Sequence, residues 1–299
     1  MASSSNPAFN TPVFQQQGTA QRPGLTPPAA PTQFAPSVDL AAQAQLEGAF
    51  AAPPASAIQT GRMTVEDTVY KTVGLFAILL VTAAVGWIWT MAPVTAASPV
   101  PTIMPWIIGA LGGFALSMAV IFTSRTQVRP ALIFAYAAFE GLFVGGISAY
   151  FEFVWPGIVM QATIATLSVV GVTLALFASG KVRASAKATK IFMIAMVGYL
   201  VFSLINVVLM MFGAAGEGGA FGLYSNVTVA GIPLGVIVGV LVVIMAAYSL
   251  VLDFDQIQQG VRNGAPRQYG WLSAFGLMVT VVWLYVEILR MIAILRGDN

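Results

Sequence analysis

Seven apolar stretches, each close to the length that crosses a bilayer, constrain the fold of this chain more than any other feature. They cover residues 72–91, 103–123, 131–151, 158–178, 191–212, 231–252 and 269–295. A helix needs about 20 consecutive apolar residues to span the hydrocarbon core of a membrane. Only 8% of the 299 residues are charged, whereas a soluble protein has about 25%. We therefore predict an all-α membrane protein, a bundle of seven transmembrane helices.

Residues 1–62 differ in composition from the rest of the chain. They hold nine of the 17 prolines, are rich in Gln, Ala and Ser, and show no sustained apolar period. Such a segment buries too little apolar surface to fold. We predict a disordered cytoplasmic tail over 1–62 and a seven-helix transmembrane domain over 63–299. That domain begins with a capping box, in which the Thr64 hydroxyl precedes the Asp67 carboxylate by three residues.

Basic residues collect on one side of the predicted bundle. They are Arg62, Lys71, Arg125, Arg129, Lys181, Arg183, Lys187, Lys190, Arg262 and Arg267. The intervening loops, at 92–102, 152–157 and 213–230, contain neither Lys nor Arg. Because basic loops stay in the cytoplasm, we expect the N-terminus to be cytoplasmic and the C-terminus outside.

Three glycine pairs with the spacing G-x-x-x-G indicate where helices touch, since small residues let backbones approach closely. The pairs are Gly109/Gly113, Gly141/Gly145 and Gly235/Gly239. They predict close packing by the second, third and sixth spans.

The chain contains neither His nor Cys, which excludes Ser–His and Cys–His catalysis, imidazole metal sites and iron–sulfur clusters. The seventh span lacks the lysine that a retinal Schiff base needs, and no glycine-rich phosphate loop or basic nucleic-acid surface occurs. We expect a monomer in contact with membrane lipid, with no enzyme activity, no cofactor and no nucleic-acid partner.

Five ionisable groups lie within or at the end of the apolar stretches. They are Glu140 in the third span, Asp253 and Asp255 at the end of the sixth, and Glu287 and Arg290 in the seventh. Each costs at least about 2.5 kcal/mol to insert, so each is a functional candidate. Structural alternatives are open: the two Asp residues could simply end the sixth span, Glu140 could bind a neighbouring helix, and Glu287 could pair with Arg290 at i,i+3.

Three segments carry a resemblance to a known family. They are Pro130-Ala-Leu-Ile-Phe-Ala-Tyr-Ala-Ala-Phe-Glu140-Gly141-Leu-Phe-Val-Gly145, Leu250-Val-Leu-Asp253-Phe-Asp255-Gln256-Ile257 and Leu284-Tyr285-Val-Glu287-Ile-Leu289. In this order, from Met63 to the C-terminus, they resemble the transmembrane Bax-inhibitor-motif family. The tail is similar to that of a bacterial subgroup, which implies a multi-pass protein of the bacterial plasma membrane.

The resemblance implies six helices around a central seventh, and an acidic pair from the sixth and seventh spans that gates a pH-dependent calcium leak. By motif the pair is Asp253 and Glu287, with Glu in place of the family's second Asp and a separation of 34 positions along the chain. Two carboxylates in low dielectric cannot both ionise cheaply, so such a pair shares a proton. Protonated, it would join the two helices; deprotonated, it would open the cytoplasmic end and offer oxygen ligands to Ca²⁺.

We therefore predict a pH-sensitive calcium or cation leak channel gated by Asp253 and Glu287, with Asp255, Glu140 and Arg290 supporting the pair or lining the ion pathway. Calcium would be the permeating ion, held transiently, and no resident metal is expected. The main alternative is a non-transporting regulator whose tail engages a membrane protease or another partner. A proton-coupled transporter using Glu140 and Glu287 as relay groups is a third possibility.

Overall fold

The computed structural model describes residues 60–95, 100–213 and 221–297. It contains seven long helices: α1 Val65–Met91, α2 Met104–Ser124, α3 Pro130–Val154, α4 Ile158–Ala178, α5 Ala186–Met211, α6 Leu234–Arg262 and α7 Tyr269–Gly297. All seven are long and apolar enough to cross a membrane, which confirms the predicted all-α bundle. The predicted tail, apart from 60–62, lies outside the described residues.

Helix α1 begins at the predicted cap. The Thr64 hydroxyl accepts a hydrogen bond from the backbone N–H of Asp67 at 3.1 Å. We call this the basic end of the bundle, because it also carries the loops 125–129, 179–185 and 263–268 with their Lys and Arg residues.

Helix α6 extends ten residues beyond the predicted span, from 252 to Arg262. Hydropathy marks the part of a helix that hydrocarbon can cover, whereas the backbone hydrogen bonds continue until a residue breaks them. Here Gly264 adopts a left-handed conformation, with φ of +66°, as is common just after a helix C-terminus. Asp253 and Asp255 therefore lie inside the helix and do not end it.

Helix α7 is the most buried of the seven. In its most apolar window 56% of the residues are buried, compared with 11% in α5. It packs against α1, α3, α4 and α6, in agreement with the predicted central position. Its basic-end half contributes Phe275, whose ring meets the edge of Tyr136 on α3 at 4.8 Å between centroids.

The three glycine pairs mark helix contacts, as predicted. Gly145 on α3 lies directly against the backbone of Ala83 on α1, and Gly109 on α2 lies against the backbone of Phe143 on α3. A Cβ atom at either glycine would overlap these backbones. Helix α3 is therefore held closely between α1 and α2. The pair on α6 faces side chains of α7.

A folded loop joins α5 to α6 at the opposite end of the bundle. It contains the short helix Leu223–Asn226 and a small antiparallel pair of strands, β1 Thr228–Val229 and β2 Ile232–Pro233. The buried Asn206 side chain of α5 holds it by accepting from the Leu223 N–H at 2.7 Å and donating to the Phe221 carbonyl at 3.1 Å.

Candidate functional site

Asp253 lies in the interior of the bundle, on the face of α6 that meets α7. Its side chain is fully buried, with 0% of the residue exposed. The Thr280 hydroxyl of α7, itself buried, donates to its Oδ2 at 2.6 Å. The carboxyl group therefore joins the last two helices by a hydrogen bond inside the membrane region.

Glu287 lies nearer the opposite end, on α7. Its Oε1 accepts from the Tyr199 hydroxyl of α5, and its Oε2 pairs with Arg290 Nη2 at 2.5 Å. The structure thus contains the i,i+3 ion pair that the sequence offered as an alternative. The Arg290 guanidinium also lies over the ring of Tyr224, 4.1 Å from its centroid, in the short helix. Glu287 and Arg290 therefore connect α5, α7 and the loop that covers this end.

The two candidate acids, Asp253 on α6 and Glu287 on α7, lie at different depths in the bundle. Thr280, which binds Asp253, precedes Glu287 by seven residues, or about 10 Å of helical rise. The α6–α7 hairpin sets this register, because its antiparallel helices place Asp253 opposite position 280. The structure brings Glu287 together with Arg290 and Asp253 together with Thr280, so each carboxylate has its own partner at its own depth.

The other two candidates are more peripheral. Asp255, two positions after Asp253, accepts from the Gln259 amide at 2.7 Å and is half-buried. Glu140 on α3 hydrogen-bonds Tyr136 one turn earlier, and its carboxylate lies against Gly113 of α2. Glu140 therefore has its hydrogen-bond partner within α3 and lies in the contact between α3 and α2.

A strip of buried polar side chains continues from Asp253 towards the basic end. Its members on α6 and α7 are Asp253, Gln256, Ser273 and Thr280. Within the described part of the chain, Gln256 Oε1 and Ser273 Oγ have no hydrogen-bond partner. A buried polar group without a partner is costly in a dry interior. We call these four buried polar side chains the polar strip.

A second polar cluster, which sequence reasoning did not identify, closes the basic end. Asp67 forms ion pairs with Lys71 and with Arg267, the latter at 2.9 Å. The buried Lys71 also donates to the Arg267 carbonyl at 2.7 Å.

Backbone bonds complete this cluster, from Met63 N–H to the Ala265 carbonyl at 2.7 Å and from Arg267 N–H to the Gly61 carbonyl at 2.9 Å. We call residues 61–63 and 265–267, with Asp67 and Lys71, the hairpin clasp. The i,i+4 spacing of Asp67 and Lys71 was the only sequence signal for it, because its other contacts join positions about 200 residues apart.

Within the described ranges, no three His, Cys, Asp or Glu side chains lie close enough together to hold a metal ion. The candidate acids instead have hydroxyl groups, one amide and one arginine as partners.

The fold and the site define a class of protein: a seven-helix membrane bundle with buried acids on its last two helices. The chain belongs to the Bax inhibitor 1 like family, whose family model matches residues 6–297. This confirms the resemblance carried by the three sequence segments. No curated protein and no solved structure matches the chain significantly.

Proposed function

We propose that this membrane protein is a pH-sensitive cation leak pathway, with calcium as the permeating ion, gated by Asp253 and Glu287. The observation that carries the proposal is the position of the two acids. Each is buried, and each accepts a hydrogen bond that joins α7 to another helix. The basic end would face the cytoplasm and the C-terminus the outside of a bacterial plasma membrane.

Asp253 is the proton-sensing member in this proposal. The charge of Glu287 is already balanced by Arg290, three residues away on the same helix. Ionisation of Asp253 instead places a charge in the α6–α7 contact, where a buried carboxylate is expensive without water. Hydration of the polar strip relieves this cost, and hydration requires α6 and α7 to separate at the basic end. The leak therefore increases as the pH rises and Asp253 loses its proton.

The route that this opening creates passes the partnerless oxygens of Gln256 and Ser273. Oxygen atoms of carboxyl, amide and hydroxyl groups are the ligands that Ca²⁺ prefers. Towards the opposite end the route meets Glu287 and Arg290, where the short helix covers the bundle. Glu287 acts there as the second level of the gate and holds α5 in place through Tyr199.

Calcium flux into liposomes tests the proposal. The full-length protein is reconstituted into liposomes that contain a calcium indicator. We expect these liposomes to admit more calcium than liposomes without protein, and to admit more at mildly alkaline than at mildly acidic pH. Asp253→Asn, which keeps the shape but cannot ionise, is expected to give a low leak at every pH. Asp255→Asn is the matched control and keeps the pH dependence. An unaltered pH profile in Asp253→Asn would overturn the assignment.

The hairpin clasp favours a second candidate, a regulator that acts through a membrane protease or another partner. The clasp binds residues 61–63 to the loop between α6 and α7. A partner that engaged the preceding tail would therefore act directly on that loop. Deletion of residues 2–59 should abolish such a partner role and spare ion flux. Asp253→Asn should lower ion flux and spare the partner role. Both candidates are non-enzymatic and require only a monomer.

A further inference from the structure

A small polar cavity of about 340 Å³ lies at the basic end, between the start of α1 and the end of α6. Its lining residues are Thr60, Arg62, Met63, Thr64, Val261, Arg262, Asn263 and Gly264. Two of these are arginines, and none is acidic. The cavity shares Arg62 and Met63 with the hairpin clasp but none of the ion-paired side chains of the clasp, Asp67, Lys71 and Arg267. Neither gating acid lines it, so it is separate from the gate proposed above.

Neither arginine is neutralised within the described residues. The ion pairs found there join Asp67 to Lys71 and Arg267, and Glu287 to Arg290. Arg267 of the neighbouring clasp is therefore balanced, whereas Arg62 and Arg262 keep their full charges. Both are exposed and free to meet a ligand.

The backbone around Gly264 shapes the cavity. The Arg62 side chain runs beside this glycine, with its Cδ and Nε each 3.7 Å from the place where a Cβ would stand. Gly264 has a φ of +66°, a backbone conformation that residues other than glycine rarely adopt. The turn after α6 therefore passes close to the Arg62 side chain, and Arg62 and Arg262 line the same cavity.

We propose that this cavity binds a phosphate group, supplied by the headgroup of an anionic lipid or by free phosphate. A guanidinium presents a planar fork of donors that matches phosphate oxygens in a bidentate manner. The Thr60 and Thr64 hydroxyls and the Asn263 amide add neutral groups at the same wall. The charge and the donor geometry therefore both select an oxyanion.

The end of α6 opposes an anion, since a helix C-terminus carries about half a negative charge. Two full positive charges outweigh it. The nearby backbone N–H groups contribute little, because those of Asn263, Gly264 and Ala265 already donate to carbonyls of the last turn. Recognition therefore depends on the two arginine side chains, and it can be removed without disturbing the helix end.

Lipid retention tests the site in the full-length protein. Purified protein would be incubated with mixed micelles of phosphatidylglycerol and phosphatidylcholine, and the bound lipid measured by native mass spectrometry. Inorganic phosphate, added alone in a thermal unfolding assay, distinguishes a free anion from a lipid headgroup. If inorganic phosphate raises the unfolding temperature, the free anion is a sufficient ligand. If phosphatidylglycerol is retained but inorganic phosphate gives no stabilisation, the ligand is the lipid headgroup. Either result supports the site.

The variant Arg62→Gln/Arg262→Gln should weaken binding about fivefold for each arginine lost, the effect expected for one basic residue at a membrane surface. The matched control is Lys187→Gln/Lys190→Gln, which removes the same charge from exposed residues outside the cavity. Arg62→Lys/Arg262→Lys keeps the charge but loses the planar fork of donors, so it should bind more weakly than the native chain and more tightly than the glutamine variant. Its residual binding shows that a folded protein is being compared. Two results would overturn the proposal. One is an equal loss of binding in the arginine and the lysine double variants; the other is a native chain that neither retains phosphatidylglycerol in preference to phosphatidylcholine nor is stabilised by inorganic phosphate.

Discussion

Replacing Glu287 with glutamine tests how the charges at the opposite end are balanced. The Glu287 side chain is 6% exposed and that of Arg290 is 17% exposed. Glutamine keeps an oxygen that can accept from the Tyr199 hydroxyl, so the substitution removes only the ion pair. It leaves a guanidinium in a largely buried position without a countercharge.

The size of the effect follows from these contacts. Removing one partner of a buried ion pair costs about 3–5 kcal/mol, whereas replacing both partners by apolar groups is close to neutral. Arg290 keeps its contact with the Tyr224 ring in the single variant, and such cation–π contacts contribute about 1–2 kcal/mol. We therefore expect Glu287→Gln to lower the free energy of unfolding by about 3 kcal/mol. Glu287→Gln/Arg290→Met should lose less, about 1–2 kcal/mol, mainly the ring contact.

The assay is reversible unfolding of the purified protein in mixed micelles, titrated with a denaturing detergent and followed by circular dichroism. Asp255→Asn is the control, because it removes a carboxylate that is only half-buried and carries no ion pair among the described residues. Arg290→Met alone completes the comparison. If Glu287→Gln lost less stability than the control, or if the double variant lost as much as Glu287→Gln and Arg290→Met together, the ion pair would not stabilise this end of the bundle.

Three further predictions follow from the same contacts. Thr280→Val removes the donor to Asp253 and should shift the pH profile of the calcium leak without abolishing it, because the carboxyl group stays; an unchanged profile would show that the bond does not report on the gate. Gly145→Val forces α1 and α3 apart and should cost about 3 kcal/mol, while Gly171→Val, which faces open space, should unfold like the native protein. Lys71→Met should weaken the hairpin clasp, seen as faster hydrogen exchange of its backbone amides with unchanged exchange in α2; equal exchange in both proteins would contradict a role in closing the basic end.

The number and approximate position of the spans could be predicted because hydrocarbon selects long apolar stretches. The end of α6 could not be predicted from hydropathy, which stops at 252 although the helix continues to Arg262. A better signal for the true end was Gly264, since a glycine followed by proline two residues later is typical of a helix C-terminus.

Local contacts of the candidate site were accessible from the sequence, and distant ones were not. The Glu287–Arg290 pair follows from i,i+3 spacing. The Asp253–Thr280 bond depends on the register of two antiparallel helices, and this register changes with the length of α6. Thr280 could not be singled out from the sequence as the partner of Asp253, because several polar residues of the seventh span were equally available until the register was known.

The central claim is that ionisation of Asp253 opens the polar strip, and thiol labelling tests it most directly. The chain has no cysteine, so Ser273→Cys places one thiol in the strip at a position that is 0% exposed. Thr126→Cys, in the exposed loop after α2, measures the ordinary effect of pH on the reagent. We expect labelling at position 273, relative to position 126, to increase as the pH rises, and Asp253→Asn to abolish this increase. A ratio that is independent of pH in the native background, or that rises equally with Asp253→Asn, would contradict the claim.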